Sequence, residues 1–294
     1  MTTTEPMSSS EADPLTDRVI PVRRVAFDYP RDELPRHYVG GDLVMSHVVT
    51  VLSSMFPDGE DYFVRSVRRF RNRITDDELR TRVAGFIGQE AMHGRQHREF
   101  NTRLGELGYP TRSIERTIDR LLRFRERFTP ALVNLAVTAA LEHYTATLAE
   151  VLMTDVEARE ALAVDEVRSL MLWHALEESE HKAVAFDVYQ HVSGNHFIRA
   201  LVMNVVTIGF LIAVVLGTTW SLLHDRATRN PLRLLRSLAA LRRSPFLRRE
   251  VIRHLRDYNR RGFHPDDHDT TDLVAQWQAE LFGTKGVLAG KLAS

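Results

Sequence analysis

Residues 86–104, FIGQEAMHGRQHREFNTRL, contain the pattern that decides the fold. Residues three or four apart share one face of an α-helix. That face reads Phe86, Glu90, His93, His97 and Phe100, so an apolar stripe is interrupted by one carboxylate and two imidazoles. A buried carboxylate without a partner is strongly destabilising. The stretch therefore predicts a core helix whose charged groups face something positive.

Three other helical patterns carry the same anomaly. Apolar stripes around residues 60 and 142 each contain one glutamate, and a stripe over residues 171–188 contains two histidines and a glutamate. Two divalent metal ions would balance these buried acids, and Glu, Glu-x-x-His, Glu, Glu-x-x-His is the ligand set of ferritin-like di-metal bundles. The predicted metal ligands are Glu60, Glu90, His93, Glu142, Glu178 and His181.

The two Glu-x-x-His pairs have a geometric basis. Residues i and i+3 lie about one turn apart on a helix face, so Glu90 with His93, and Glu178 with His181, can each chelate one ion. The two single glutamates would complete or bridge the pair. One such motif alone is common on solvated helices, and it is the conjunction of four stripes that favours a metal centre.

The remaining histidines divide into candidates and non-candidates. His174 and His97 each follow the same stripes and are expected either to bind metal or to hydrogen-bond to the ligands. His143 is expected to point away from the centre, toward the surface. Residues 264–268, HPDDH, could bind a metal but fit a polar turn better.

Composition limits the chemistry. The 294 residues include 39 basic and 39 acidic side chains, 13 histidines and no cysteine. Disulfides, cysteine-bound zinc, iron–sulfur clusters and a cysteine nucleophile are excluded, so a metal must be bound by histidine and carboxylate. Residues 1–20 are polar and lack the apolar segment of a signal peptide, so we expect a cytoplasmic protein.

Helical periodicity follows a flexible N-terminal tail at residues 1–20. Apolar residues recur at helical spacing over 42–72, 76–107, 113–127, 130–154, 159–192, 198–223, 231–243 and 245–260. We therefore expect an all-α chain comprising that tail, a di-metal bundle over 21–197, an apolar helix over 198–225 and an Arg-rich helical extension over 226–294. Pro57 falls inside the first pattern and predicts a kink or a new helix start there.

Between Arg24 and Pro265 the chain resembles the ferritin-like predicted metal-dependent hydrolase family. The motifs are FPDGE at 56–60, QEAMH at 89–93, EHY at 142–144, ESEH at 178–181 and GFHP at 262–265. The resemblance implies a ferritin-like four-helix bundle with additional C-terminal helices and a metal site. It implies a reaction less directly, because the family's hydrolase label is itself a prediction. The set His174, Glu178 and His181 is also similar to the ligand motif of the di-iron arylamine N-oxygenases.

An uncharged segment over residues 200–223 precedes an Arg-rich block. Its 24 residues are long enough to span a bilayer. The block at 226–261, with twelve arginines and two acids, favours a cytoplasmic side, and a single span would then force the metal domain across the membrane without a signal peptide. Three alternatives stay open: a buried helix, an oligomer contact such as a homodimer, or a peripheral, monotopic element at the inner membrane face. No nucleic-acid partner is expected.

Three functions fit the predicted site. The first is an oxygen-activating di-iron enzyme acting on a small hydrophobic or aromatic molecule, with an electron donor as a further partner. The second is a metal-dependent hydrolase that uses iron, zinc or manganese to generate a metal-bound hydroxide. The third is a non-catalytic iron-binding bundle. The carboxylate-rich ligand set favours the first, because anionic ligands stabilise high oxidation states.

Overall fold

A computed structural model describes residues 19–30 and 33–292, and the tail predicted at residues 1–20 lies outside this range up to residue 18. The described chain is all-α, as expected, with one isolated bridge between Val25 and Leu292. The helices are α1 Leu43–Arg68, α2 Asp77–Glu106, α3 Thr111–Phe128, α4 Ala131–Thr154, α5 Val156–Ala161, α6 Asp165–His181, α7 Val184–Val192, α8 His196–Leu223, α9 Pro231–Leu241, α10 Arg249–Asp257 and α11 Thr271–Phe282.

Helices α1, α2, α4 and α6 pack around a common core. Helix α1 lies against α2, α4 lies against α6, and contacts of α1 with α4 and of α2 with α6 close the arrangement. Two long helices begin at aspartate caps, where Asp42 accepts from the amide of Met45 and Asp76 from the amide of Leu79. Such caps pair amides that the first helical turn leaves unsatisfied.

Helix α1 continues through Pro57 without a new start. Proline has no amide hydrogen, so the carbonyl of Ser53, four residues earlier, loses its helical partner. The side-chain amide of Asn101 on α2 donates to that carbonyl over 3.0 Å. A neighbouring helix therefore supplies the hydrogen bond that proline removes.

The apolar core is divided into two layers along these helices. One layer contains Phe63, Phe86, Leu135 and Phe186. The other contains Phe100, Leu104, Trp173 and Trp277. Between Phe86 and Phe100 on α2 lie the buried polar residues Glu90, His93 and His97, so a polar layer separates the two apolar ones.

The chain after α4 differs from the predicted helical pattern in two places. The pattern at 159–192 forms three helices, α5, α6 and α7, with breaks at residues 162–164 and 182–183. At the second break Lys182 bonds the carbonyl of His268 and the hydroxyl of Thr270. Helix α11 lies within the predicted helical extension but beyond its last periodic pattern, at 245–260. It packs on α6, and the indole of Trp277 donates to the carbonyl of Met153.

Helix α8 matches the predicted apolar segment. Within the described chain it is the one helix long and apolar enough to cross a membrane by length and composition. Most of it is exposed, so the expectation of a helix buried against the bundle holds only for its inner side.

Candidate metal centre

Seven acidic or imidazole side chains converge in the polar layer. They are Glu60 from α1, Glu90 and His93 from α2, Glu142 from α4, and His174, Glu178 and His181 from α6. All seven are buried, with at most 5% of any residue exposed. The structure thus brings together the six residues predicted as ligands and one of the two additional histidines.

Three of these residues form a first set, group A: Glu60, His93 and His174. Their nearest ligand atoms all lie within 4.8 Å of one another. Nε2 of His174 is 3.6 Å from Oε1 of Glu60 and 2.9 Å from Oε1 of Glu178. Nδ1 of His93 is 3.7 Å from the same Glu178 oxygen. One oxygen of Glu178 therefore faces group A.

A second set, group B, consists of Glu90, Glu142 and His181 and is equally compact. Nε2 of His181 lies 3.1 Å from Oε1 of Glu90, 3.3 Å from Oε2 of Glu142 and 3.5 Å from Oε2 of Glu178. Glu90 also lies within 4.8 Å of both His93 and Glu178. Glu90 and Glu178 thus lie between the groups, an arrangement that differs from one Glu-x-x-His pair per ion.

Most atoms that point into this space have no hydrogen-bond partner. They are both carboxylate oxygens of Glu60, Glu90 and Glu142, Oε2 of Glu178, Nδ1 of His93 and Nε2 of His181. The short approach of His181 to Glu90 does not have hydrogen-bond geometry. Folded proteins pair the great majority of their buried polar atoms. A concentration of unpaired oxygen and nitrogen lone pairs fits divalent metal ions.

Burial and crowding shift the pKa values of these groups. Burial first, and then repulsion from neighbouring carboxylates, raises the pKa of Glu60 and Glu142 well above the ordinary range. Burial lowers the pKa of His93 well below its ordinary value. For His181 burial acts in the same direction, but the carboxylates of Glu178 and Glu142 outweigh it and raise the pKa. In metal-free protein Glu60 and Glu142 therefore tend to retain protons, whereas the neighbouring imidazoles of His181 and His174 lower the pKa of Glu178 despite its burial.

Gln89 orients the ring of His181. The amide nitrogen of Gln89 donates to the carbonyl of Pro21 and to the carboxylate of Glu180, so its oxygen faces Nδ1 of His181 at 2.8 Å. Because an amide oxygen only accepts, Nδ1 of His181 must carry the hydrogen. In the neutral ring Nε2 then has a free lone pair directed at group B.

Glu177 orients the ring of His93 in the same way. Its Oε2 lies 3.1 Å from Nε2 of His93, and Arg23 donates to its other oxygen. When Glu177 is ionised, Nε2 of His93 is the donor, which leaves the Nδ1 lone pair toward group A. Burial raises the pKa of Glu177 to about 8, although the Arg23 guanidinium acts in the opposite direction. Arg23 also forms a two-point ion pair with Glu180.

His97 orients the ring of His174 without joining the centre. The Asn101 amide nitrogen donates to Glu115, so its oxygen accepts from the hydroxyl of Ser53, which in turn accepts from Nδ1 of His97. Nε2 of His97 lies 2.7 Å from Nδ1 of His174 and accepts its hydrogen. Nε2 of His174 points toward group A, where it is hydrogen-bonded to Oε1 of Glu178 at 2.9 Å. Of the two roles expected for His97, the structure places it in the hydrogen-bonding one.

The sequence prediction did not assign roles to Gln89, Glu177 or Arg23. Gln89 and Glu177 each directly precede a predicted ligand glutamate, so each Glu-x-x-His motif extends to five residues, QEAMH and EESEH. In each motif the first residue orients the histidine of the other motif. This repetition was available in the sequence as a signal, whereas Arg23, far upstream in the lead-in, gave none.

Two predictions about other histidines have different outcomes. His143 is buried rather than at the surface, because α10 covers that side of α4 and the carbonyl of His254 accepts from its ring. His264 begins the predicted polar turn, where its ring accepts from the amide of Asp266 and bonds to Asp187 at 2.8 Å.

Comparisons with known proteins agree with the geometry of the centre. No curated protein and no solved structure matches the chain. The family model described as "Predicted metal-dependent hydrolase" matches residues 21–269, a range that includes every residue of groups A and B and Glu178. The chain therefore belongs to the predicted metal-dependent hydrolase family.

Proposed function

We propose that groups A and B each bind one divalent metal ion and that Glu90 and Glu178 are shared between the two ions. The supporting observation is the concentration of unpaired, buried ligand atoms at this one place. The four carboxylates carry four negative charges when ionised, which two divalent ions would balance. A single ion would leave buried charge uncompensated, at a high cost in free energy.

We propose further that the ions are iron and that the protein is an oxidoreductase. Iron bound here would supply one-electron chemistry and dioxygen activation. The chain's own contribution is orientation. Gln89, Glu177 and His97 each hydrogen-bond to the ring nitrogen of one imidazole that faces away from the centre, and so direct the other ring nitrogen at the proposed metal site. Partners of this kind raise the metal affinity of the ligands they hold.

The surroundings of group A support a small hydrophobic or aromatic substrate. The half-buried ring of Phe56 packs edge-on against His97 and His174, with ring centroids 4.8 Å apart in each pair. Enclosure between apolar layers favours an apolar molecule over a large polar one. An electron donor would be the second partner, because oxygen activation of this kind consumes electrons.

Hydrolysis is the second candidate, and the family description supports it. In that case zinc, manganese or iron would activate a water molecule for attack on the substrate. A non-catalytic iron-binding bundle would use the same ligands without turnover.

One experiment separates these functions. The metal content of the purified protein is measured, the ferrous form is prepared anaerobically, and oxygen is then added while the near-ultraviolet and visible spectrum is recorded. Two irons per chain and a transient oxygen-dependent band are expected. Zinc as the native metal, or an oxygen-inert ferrous form, would contradict the oxidoreductase proposal. Iron uptake far beyond two ions per chain would assign the protein to storage.

A pair of variants tests the ligand assignment. Glu178→Ala is expected to lose both ions, because Glu178 faces groups A and B at once. Glu99→Ala is the matched control, since Glu99 lies on α2 but is exposed and paired with Arg95. Unchanged metal content in the Glu178 variant would show that the centre is not a metal site.

A further inference from the structure

Helix α8 presents an apolar stripe to solvent along nearly its whole length. Side chains more than half exposed recur at helical spacing; six of them are Leu201, Val205, Ile208, Ile212, Leu216 and Leu223. Over this range the stripe is roughly 33 Å long, at 1.5 Å per residue. Apolar surface of this extent marks an interaction site rather than an ordinary protein surface.

The opposite side of α8 is fixed to the protein. Met203 and Val206 belong to the apolar core, and the hydroxyl of Ser221 bonds to Nδ1 of His47 at 2.6 Å. The missing side chain of Gly217 lets α8 approach α1, since a Cβ there would lie 2.8 Å from Val51. With one side held by protein, α8 has only its outer side available for a partner.

Helix α9 extends this surface in an unusual way. Its buried residue is Ser237, whose hydroxyl accepts from the amide of Val44 at 2.7 Å, whereas Leu232, Leu235 and Leu238 are exposed. Amphipathic helices of soluble domains normally bury such leucines. Because Val44 and His47 lie one turn apart on α1, α9 and the end of α8 both contact the same end of that helix.

The surface around these helices is strongly basic. Residues 196–249 contain nine arginines and one acid, Asp225. Asp225 is buried and accepts hydrogen bonds from Arg36 and His47, so it adds no exposed negative charge. Exposed arginines beside exposed apolar side chains complement a partner that is both anionic and apolar. The exposed arginines of this surface are Arg226, Arg229, Arg236, Arg242 and Arg243.

We propose that α8 and α9 form a docking surface for an anionic lipid bilayer. The chain lies on the membrane as a monotopic protein, with the apolar stripe in the interfacial region and the arginines at the head groups. The packing of the inner side of α8 against the bundle favours this placement over a transmembrane span. The proposal does not depend on the metal or on the reaction.

Vesicle flotation of the full-length protein tests this surface. Vesicles of phosphatidylcholine alone are compared with vesicles containing phosphatidylglycerol, over a range of sodium chloride concentrations. Binding to the anionic vesicles is expected to be stronger and to weaken with salt. Replacing Arg229, Arg236 and Arg242 by Gln should lower the partition coefficient on the order of 100-fold, at about one tenfold step or less per arginine.

Apolar variants complete the test. The triple variant Ile208→Ser, Ile212→Ser, Leu216→Ser is expected to lose vesicle binding, whereas the control Val156→Ser, Val287→Ser removes exposed apolar groups outside α8 and α9 and should bind normally. Circular dichroism and metal content confirm that each variant is folded. Binding unchanged by the triple variant, or equal binding to neutral and anionic vesicles, would overturn the proposal. So would a dimer in sedimentation that the triple variant dissociates, with no vesicle binding.

Discussion

Among the residues that the structure describes, two compact clusters of histidine and carboxylate have the spacing of metal ligands, and they differ in what surrounds their lone pairs. In the centre, groups A and B direct unpaired oxygens and nitrogens toward one another. The second cluster, His37, His47 and Asp225, is equally compact. There Oδ2 of Asp225 is within 3.1 Å of Nε of Arg36 and of both imidazoles, and Ala227 donates its amide to Oδ1.

The difference shows that proximity of ligand-type side chains does not by itself define a metal site. In the second cluster a guanidinium supplies the positive charge, and the ring nitrogens of His47 and His37 are bonded to Ser221, Arg233 and Asp225. These bonds hold the pKa of Asp225 below its ordinary value although burial opposes them. A cation there would have to displace Arg36, whereas in the centre it would meet free lone pairs.

Removal of metal should have the largest effect. When the free metal concentration is about 1,000 times the Kd of a site, binding at that site stabilises the folded state by about 4 kcal/mol, so two ions contribute on the order of 8 kcal/mol. Chelation followed by denaturant unfolding should reveal this loss in the wild-type protein. A variant with Asp225→Ala should lose as much on chelation as the wild type. A chelation effect that disappears with Asp225 would assign the metal to the second cluster.

Asp225→Ala should itself destabilise the protein by about 3 kcal/mol without changing its metal content. The buried His47 and the partly exposed Arg36 would lose a shared acceptor, and breaking a buried pair by removing one partner is costly. Urea unfolding measures the loss, and elemental analysis measures the metal. A drop in bound metal would show that the two clusters are not independent.

Gln89→Leu should weaken metal binding roughly 10- to 100-fold, as is usual for loss of a residue that orients a ligand. The isosteric Gln89→Glu retains an acceptor for Nδ1 of His181 and should recover part of the affinity. Competition with a chromophoric chelator gives both constants. Ser221→Ala makes the corresponding change beside His47 and should leave metal affinity unaltered. Equal effects of the two changes would contradict the contrast between the clusters.

Metal binding should strengthen as pH rises. The raised pKa values of Glu60 and Glu142, from burial and mutual repulsion, and of His181, from its carboxylate neighbours, mean that binding displaces protons. Each displaced proton makes binding more favourable by about 1.4 kcal/mol per pH unit below the pKa. The gap in unfolding free energy between metal-loaded and metal-free protein should therefore widen from pH 5.5 to 8. A difference in unfolding free energy that does not change with pH would contradict the release of protons on metal binding.

The sequence predicted the parts of the centre that lie on helical stripes. Periodicity identified α1, α2, α4 and α6 and placed their acids and histidines on inward faces, because helix geometry alone determines which residues share a face. It did not predict Glu177 or Gln89, which lie beside the stripes, or Arg23, which reaches Glu177 from outside the helices. Such contacts depend on tertiary packing between segments distant in the chain.

The C-terminal part was less predictable for the same reason. Helix α11 is only 12 residues long, and its role follows from Trp277 and Leu281 packing on the second apolar layer. His143 was expected at the surface because nothing in its own helix shows that α10 covers it. The domain boundaries and the metal-ligand role of each residue stay predictions.

Anomalous X-ray scattering at the iron edge, from crystals of protein loaded with ferrous iron, tests the central claim most directly. We expect two peaks roughly 3.5–4 Å apart, one beside group A and one beside group B, with Glu178 between them. No peak is expected at His37, His47 and Asp225. A peak at that second cluster, or no peak among groups A and B, would contradict the account.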